Sequence, residues 1–333
     1  MASYIGRRKF LATLLGGSAA AWPLAAPAQQ PAVPAVGLVS VRPPEEVSGR
    51  TVGAFRKGLS ETGYVEGQNV TVEYHLFGGQ FDRLPALAAE LVHRQVAVIA
   101  ASSTPSAFAA KAATATIPIV FGVSVDPVKV GLVASLNRPG GNLTGVTNLN
   151  VEVGPKRLEL LHELLPAATT FAMLVNPTSP STAEPSSRTL QAAPRALGLQ
   201  LHVLHASTER DFDTVFATLV QLRAGGLVIT ADTFFLAHSE QLAALTVRHA
   251  VPTVYAYRPF AAAGGLMSYG SDQIEYYRLV GNYVGRVLKG EKPADLPVQQ
   301  STKVELIINL KTAKALGITV PLPLSGCADE VIE

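Results

Sequence analysis

A stretch of about three βα units occurs twice in this chain, and this duplication constrains the fold more than any other feature. Each copy opens with a short apolar strand that leads through a Pro-rich loop into a helix closed by glycine. Strands that alternate with helices favour parallel sheets built from right-handed βαβ units. The sequence therefore predicts an α/β protein with two similar lobes and a cleft between them. The predicted strands are Val36–Ser40, Val70–His75, Val96–Ala101 and Ile117–Phe121, then Phe171–Val175, Leu199–His205, Gly226–Thr230 and Pro252–Ala256.

Composition limits the classes of partner. Apolar residues make up 48% of the 333 residues and charged residues 16%, which is enough for two globular cores. The 27 basic and 25 acidic residues almost balance. The sequence therefore lacks the excess of positive charge that binding to nucleic acid or to an anionic membrane requires, and we expect neither.

Residues 1–28 have the pattern of an export signal. Arg7, Arg8 and Lys9 precede an apolar run from Phe10 to Trp22, and Ala26-Pro27-Ala28 predicts cleavage before Gln29. The run Arg7-Arg8-Lys9-Phe10-Leu11 matches the core of a twin-arginine signal, although an ordinary secretory signal can also contain two arginines. The single cysteine, Cys327, is far from this segment, so no lipid anchor is expected there. We expect a soluble periplasmic monomer.

Three chain crossings between the lobes are predicted, near 146–151, near Gly270 and near Gln299, and they form a three-stranded hinge. The first lobe would comprise residues 33–147 and about 270–298, and the second lobe residues 148–269 and about 299–325. Several local features are also predicted: a helix over 127–136, a capping box at Ser181-x-x-Glu184, and a kink or early end at Pro194 in the helix that closes at Gly198.

Ligands of open parallel sheets bind where strands end and helices begin. In the first lobe, the Ser102-Ser103-Thr104 loop can hold an anion at a helix start or act only as a helix cap. In the second lobe, Asp232 can bind an ammonium group across the cleft or act as a cap. Aromatic residues are concentrated in the second half, and Tyr255, Tyr257 and Tyr269 stand at strand ends where they could line the cleft.

Motifs for catalysis are missing from the sequence. No phosphate-binding glycine loop is present, and Gly122-Val123-Ser124-Val125-Asp126 lacks the second glycine of a nucleophile elbow. His202 and His205 lie three apart on a predicted strand and therefore point to opposite faces. We expect a binding protein that is not an enzyme and that needs no cofactor or metal.

Several segments resemble one family, the ABC-transporter substrate-binding proteins that include tryptophan- and tyrosine-binding members. The resemblance covers nearly the whole chain after the export signal, from about Val33 to Thr319. The segments that carry it are Phe55-Arg56-Lys57-Gly58-Leu59, Gly63-Tyr64-Val65-Glu66-Gly67-Gln68-Asn69, Asp126-Pro127-Val128 with Gly131-Leu132-Val133, Pro139-Gly140-Gly141-Asn142-Leu143-Thr144-Gly145, Lys156-Arg157-Leu158-Glu159-Leu160-Leu161 and Asn309-Leu310-Lys311-Thr312-Ala313.

The resemblance implies two Rossmann-like lobes of the type 1 periplasmic-binding-protein architecture, which close on a small molecule and deliver it to a membrane permease and its ATPase. It implies that Ser102, Ser103 and Thr104, helped by Ser124, hold a ligand carboxylate, and that Asp232 and Thr233 bind its ammonium group. An apolar or aromatic amino acid would fit. The further positions expected to line the cleft are Ser40, Asn148, Asn176, Tyr257 and Tyr269.

Two other functions stay open at this point. A protein of the same fold could act as a sensor that presents its closed form to a signalling partner in the membrane. A periplasmic enzyme could use the same cleft, but the lack of catalytic motifs makes it the weaker alternative.

Overall fold

Each half of the chain forms a β-sheet with helices on both faces. The computed structural model describes residues 33–40 and 50–333, so the predicted export signal and the loop Arg42-Pro43-Pro44 lie outside the described residues. The strands in chain order are β1 (Ala35–Ser40), β2 (Thr71–Leu76), β3 (Val98–Ala101), β4 (Ile119–Val123), β5 (Leu143–Thr147), β6 (Thr170–Val175), β7 (Gln200–His205), β8 (Gly226–Ile229), β9 (Thr253–Tyr255), β10 (Met267–Ser271), β11 (Gln299–Gln300), β12 (Val304–Asn309) and β13 (Glu330–Ile332).

The helices follow the strands as the alternating pattern predicts. Short 3₁₀ turns at Phe81–Arg83 and Pro293–Asp295 supplement them. In chain order the helices are α1 (Arg50–Ser60), α2 (Leu84–His93), α3 (Thr104–Ala113), α4 (Gly154–Leu164), α5 (Pro180–Leu197), α6 (Arg210–Leu222), α7 (Thr233–Ala237), α8 (Ser239–Arg248), α9 (Arg258–Ala262), α10 (Gln273–Leu288), α11 (Leu310–Ala315) and α12 (Leu322–Gly326).

The two sheets repeat one strand order, which confirms the duplication. Within the described residues, the first sheet has the order β11-β5-β4-β3-β1-β2 and the second has β13-β12-β10-β9-β8-β6-β7. The first five strands of each copy therefore occupy equivalent places, β2-β1-β3-β4-β5 and β7-β6-β8-β9-β10. The pairs within each set of five are parallel, as predicted.

Both sheets are mostly parallel, as predicted, and one pair of strands departs from this pattern. β12 runs antiparallel to β10, with Met267 opposite Ile308 and Tyr269 opposite Leu306. The hinge explains this direction. β10 leaves the second sheet at the end that faces the first lobe, and β12 enters from the first lobe at that same end, so the two must run in opposite directions. β13, which was not predicted, pairs parallel to β12 and extends the sheet.

Over residues 50–333 the chain passes between the two sheets three times. The first passage joins β5 to α4, the second joins β10 to α10, and the third joins β11 to β12. Helix α10 packs against α1 of the first lobe, and the two backbones approach so closely that a side chain at Gly58 or Gly281 would overlap the other helix. These passages form the predicted three-stranded hinge. The exact lobe boundaries stay predictions.

Two local predictions are wrong, and one of two alternatives in a third is excluded. Residues 127–136 form turns and bends instead of a helix, because Gly131 adopts a left-handed φ of +72° that interrupts a right-handed helix. Helix α5 begins one residue before the predicted capping box, with Ser179 as its N-cap residue. Pro194 does not end α5 early, because the helix runs on to Leu197 and ends at the predicted Gly198. A kink at Pro194 stays a prediction.

Candidate functional site

One pocket lies between the lobes, at the carboxyl ends of the strands of both sheets. Its walls come from the loops after β3, β4 and β5 and from the start of α10 on one side, and from α5, α7 and the loops after β8 and β9 on the other. The cavity has a volume of about 30 Å³. A single water molecule needs roughly 10–15 Å³ of such volume. The pocket is therefore compact, and both lobes contribute to it.

Eight of the eleven predicted site residues line this pocket. Seven of them follow the strands β3, β4, β8 and β9, as the strand-end rule expects, and Asn148 lies in the first hinge passage. The eight residues are Ser102, Ser103, Thr104, Ser124, Asn148, Asp232, Thr233 and Tyr257. Asn176 lies directly behind the pocket, where its Nδ2 donates to Asp232 Oδ1 at 3.3 Å. The side chain of Ser40 lies outside what the structure describes.

Two tyrosines that were expected near the cleft lie elsewhere. The side chain of Tyr269 packs among the apolar residues of the second lobe, on the same face of β10 as Met267. Tyr255 is fully buried in the core, where its hydroxyl lies 2.6 Å from Thr246 Oγ1 and its ring stacks on Phe260. Strand-end position alone did not distinguish core tyrosines from cleft tyrosines.

The Ser103 side chain caps helix α3. Its Oγ accepts a hydrogen bond from the Ser106 backbone N–H at 3.2 Å, and Ser106 Oγ accepts from the Ser103 N–H at 3.0 Å. This reciprocal arrangement is a capping box, which fixes the loop where the helix begins. Thr104 Oγ1 accepts from the Ser124 N–H at 3.4 Å and so joins the loops after β3 and β4. Capping is thus confirmed, and the helix start faces the pocket.

Asp232 is a buried carboxylate in the pocket wall. It is the N-cap residue of α7, accepts from the Phe234 N–H at 2.8 Å, and has Thr182 Oγ1 at 3.4 Å. Within the described residues, no lysine, arginine or histidine forms an ion pair with it. Burial raises the pKa of Asp232 to about 6, so the group is mostly ionised at neutral pH although it lacks a cation.

Thr233 places an unsatisfied hydroxyl beside this hydrogen-bonded carboxylate. Its Oγ1 is buried and has no hydrogen-bond partner among the described residues. Buried hydroxyls are usually hydrogen-bonded, because an unpaired one loses its interaction with water. Asp232 and Thr233 therefore bring a negative charge and an unpartnered hydroxyl to the wall of the pocket.

Helix α10 contributes a part of the wall that was not predicted from the sequence. Gln273, Tyr276 and Tyr277 from the first turns of this helix line the pocket, as do Thr182 of α5 and Leu236 of α7. Burial raises the pKa of Tyr257, Tyr276 and Tyr277, so their hydroxyls stay protonated and able to donate. In the sequence, the position of α10 directly after the second hinge passage could have indicated that its first turns face the cleft.

A buried arginine forms hydrogen bonds at two of the hinge passages beside the pocket. Arg157 in α4 is 1% exposed and donates through Nε to the Tyr269 carbonyl at 2.6 Å and through Nη2 to the Asn150 carbonyl at 2.8 Å. It also donates to Asn150 Oδ1, while Asn150 Nδ2 donates to the Ala256 carbonyl at 3.0 Å. Burial lowers the pKa of Arg157 to about 10, so it remains a cation at neutral pH. The first two hinge passages are thereby tied together.

The described part of the chain provides neither a metal-binding cluster nor a membrane helix. No group of three or more His, Cys, Asp or Glu side chains within it could hold a metal ion. None of the described helices is long and apolar enough to cross a membrane.

Two α/β lobes, a three-stranded hinge and a polar pocket between the lobes define a binding protein of the type 1 periplasmic fold. Residues 45–332 match the family described as "ABC transporter substrate binding protein". This chain belongs to that family.

Three known proteins illustrate the similarity. The tyrosine-binding protein of Clostridioides difficile (strain R20291) is 28% identical over 265 residues, which cover 79% of this chain and 75% of that protein. An ABC domain from Streptococcus pneumonia in complex with L-Trp has a TM-score of 0.81 at 23% identity. The ligand-free, open structure of a substrate binding protein with adhesive properties from Clostridium difficile has a TM-score of 0.62 at 25% identity. Each structural match covers 90% of this chain and 99% of the other.

Proposed function

We propose that this protein is the extracytoplasmic receptor of an ABC importer and that it captures an α-amino acid with an apolar or aromatic side chain. The observation that carries the proposal is the buried carboxylate of Asp232, which stands in the pocket wall without a cation and beside the unpartnered hydroxyl of Thr233. Buried charges in proteins are normally paired. A ligand ammonium group supplies the missing partner.

The opposite wall suits the other end of an amino acid. The start of α3 carries the positive end of the helix dipole, and Ser103, Thr104 and Ser124 surround it. A ligand carboxylate placed there lies across the cleft from Asp232. Tyr257, Tyr276, Tyr277 and Leu236 then form the wall for the side chain, with protonated hydroxyls available to a polar substituent. The relative that is named for tyrosine and the neighbour bound to L-Trp support this ligand class.

Closure follows from the distribution of these groups between the lobes. A zwitterion that is held by Ser103 in one lobe and by Asp232 in the other contacts both only when the cleft is closed. It therefore shifts the equilibrium toward the closed form by its differential affinity. Membership of the family supports a permease and an ATPase as the partners that receive the closed form. Binding and release, without a chemical step, account for the site.

A thermal-shift screen against the common L-amino acids, aromatic acids and sugars tests the proposed ligand class. A ligand at a hundred times its Kd should add about 2.7 kcal/mol to the free energy of unfolding and raise the melting temperature clearly. We expect shifts with aromatic or branched L-amino acids. The matched amines and carboxylic acids, such as tyramine and 4-hydroxyphenylpropionate, should give much smaller shifts, because each lacks one end of the zwitterion. Equal shifts with the deaminated acids would contradict the role of Asp232.

We also propose export to the periplasm with removal of residues 1–28. The support is the sequence pattern of a basic stretch, an apolar run and Ala26-Pro27-Ala28. Expression in a Gram-negative host should yield a periplasmic protein whose N-terminal residue is Gln29. Replacing both Arg7 and Arg8 by lysine keeps the charge, so a block of export in this variant identifies the twin-arginine route and normal export identifies general secretion. Retention of the uncleaved chain in the cytoplasm would contradict the proposal.

A further inference from the structure

A glycine of the first lobe lies directly against a helix of the second. Gly79 follows β2 in the segment Phe77–Gln80, and it is buried. A Cβ atom built on Gly79 would lie 3.0 Å from Phe234 Cα and 3.5 Å from Ala237 Cβ, both in α7. The backbone of one lobe thus meets the backbone of the other at a place where a side chain would leave little room. We name this approach of Gly79 to Phe234 and Ala237 the closing contact.

Aromatic side chains flank the closing contact on both sides. Phe77, two residues before Gly79, is 0% exposed, and its ring centroid lies 6.1 Å from that of Phe81. Phe234 is 7% exposed and packs with Phe212 and Phe235 at centroid distances of 5.8 and 5.6 Å. Phe77 and Phe234 belong to one continuous apolar cluster that includes core residues of both lobes. Separation of the lobes would return part of this aromatic surface to water.

The same short helix connects this contact to the pocket. Asp232 caps α7 by accepting from the Phe234 N–H, and Asp232, Thr233 and Leu236 all line the pocket. Phe234 is therefore held between the pocket wall and the first lobe. Contacts at the mouth of the cleft and contacts with a ligand form together when the lobes close.

We propose that the closing contact determines ligand affinity. Because residue 79 is glycine, the first lobe can pack directly against α7, and this packing stabilises the closed form whichever ligand is bound. A contact that exists only in the closed form raises the population of that form, and the apparent Kd falls by the same factor. The inference goes beyond the proposed ligand class, because it concerns closure rather than recognition.

The chain supplies a matched control in the neighbouring residue. Gly78 and Gly79 both have left-handed φ angles, +58° and +76°, so a substitution strains the backbone similarly at either position. A Cβ at Gly78 would meet nothing within 4 Å, whereas a Cβ at Gly79 meets α7. Asparagine tolerates the left-handed region well, so Gly78→Asn and Gly79→Asn differ chiefly in the obstruction of the other lobe.

Disulfide trapping tests the contact without any ligand. In a Cys327→Ser background, the pair Gly79→Cys and Ala237→Cys places two Cβ atoms about 3.5 Å apart, within the range for an unstrained disulfide. The control pair is Gly78→Cys and Ala237→Cys. We expect the first pair to cross-link at least about tenfold faster than the control under mild oxidation, because only position 79 faces α7. Equal rates, or no cross-link at position 79, would overturn the proposal.

Affinity supplies the second measurement, with L-tyrosine as the probe. We expect Gly79→Asn to raise the apparent Kd by about tenfold or more and Gly78→Asn to change it by less than about threefold. Equal effects of the two substitutions would overturn the proposal. If L-tyrosine fails to bind even the unmodified protein, the proposed ligand class fails for this compound, and the cross-linking rates alone decide whether the closing contact exists.

Discussion

Replacement of Asp232 by asparagine is expected to abolish amino-acid binding while it stabilises the protein that has no ligand. Asparagine keeps the shape of the side chain, and its Oδ1 can still accept from the Phe234 N–H that Asp232 caps. It removes the negative charge and replaces the oxygen that accepts from Thr182 Oγ1 by an amide nitrogen, which donates instead. Loss of one member of a buried charged pair costs about 2–5 kcal/mol of binding energy, which is a decrease in affinity of roughly thirtyfold to several thousandfold.

The gain in stability follows from the pKa of the same group. Burial raises the pKa of Asp232 from its ordinary 3.8 to about 6, so the folded protein holds this proton more tightly than the unfolded chain does. The ionised carboxylate then destabilises the fold by up to about 3 kcal/mol at neutral pH, since one pKa unit corresponds to about 1.4 kcal/mol. Denaturant unfolding without ligand should therefore show a higher midpoint for Asp232→Asn than for the unmodified protein.

The pH dependence of the two quantities should have opposite signs. Between about pH 4 and pH 6 the unfolded chain has lost the Asp232 proton while the folded protein largely keeps it, so the stability of the free protein falls as pH rises and levels off above about pH 6. Over the same window the affinity for a zwitterionic amino acid rises, because only the carboxylate attracts the ammonium group. Both trends should disappear in Asp232→Asn.

An exposed aspartate of the second lobe serves as the control for charge. Asp213→Asn in α6 removes one exposed negative charge that does not line the pocket, and it should leave affinity and stability nearly unchanged. Full affinity in Asp232→Asn, measured by titration calorimetry, would eliminate the ammonium role and leave Asp232 as a helix cap only.

Strand alternation and duplication sufficed to predict the architecture and much of the pocket. The carboxyl ends of parallel strands meet at one edge of a sheet, so each loop after a strand is a candidate for the site. This rule brought Ser103, Ser124, Asp232 and Tyr257 to one pocket, although they are far apart in the sequence. Their chemical roles did not follow from position, because Ser103 and Asp232 both serve as helix caps as well.

Features that depend on how elements approach each other could not be predicted from the sequence. Tyr276 and Tyr277 lie within a helix rather than at a strand end, and only the hinge passage directs that helix, α10, toward the cleft. Gly79 carries no chemical group, and its importance lies in the 3.0 Å gap that a Cβ would leave to Phe234 Cα. The turns over 127–136 have a helical composition, but the left-handed φ of Gly131 is a property of the folded chain.

Arg157 belongs to the same class of unpredicted features, and its replacement by methionine should destabilise the fold. Methionine fills much of the volume but leaves the carbonyls of Tyr269 and Asn150 and the Oδ1 of Asn150 without their donor. Each buried acceptor left unpaired costs about 1–3 kcal/mol. Removal of the buried cation avoids its cost of desolvation, which is about 3 kcal/mol of unfolding free energy for a pKa of about 10 in place of 12.5. The unpaired acceptors cost more than this gain, and we expect the free energy of unfolding to fall by about 2–4 kcal/mol.

Denaturant unfolding of three variants separates the hydrogen bonds from the charge. Arg157→Lys keeps a cation but cannot span both Tyr269 and Asn150, so it should lose stability as well. Arg210→Met, at an exposed arginine of α6, should change the free energy of unfolding by less than about 0.5 kcal/mol. A double-mutant cycle with Asn150→Ala should show coupling of about 1–3 kcal/mol. A neutral or stabilising Arg157→Met would mean that burial of the charge, rather than the hydrogen bonds, dominates.

The hydrogen bonds that join Arg157, Asn150, Tyr269 and Ala256 lie at the hinge, so their loss should affect ligand binding as well as stability. Asn150 lies in the first hinge passage, Tyr269 precedes the second, and Ala256, the third partner, precedes Tyr257 in the pocket wall. Loss of Arg157 should therefore loosen both passages and the Tyr257 wall at once. Arg157 itself does not line the pocket, so affinity in Arg157→Met should fall less than in Asp232→Asn. A larger fall in Arg157→Met than in Asp232→Asn would instead place its positive charge in direct contact with the ligand carboxylate.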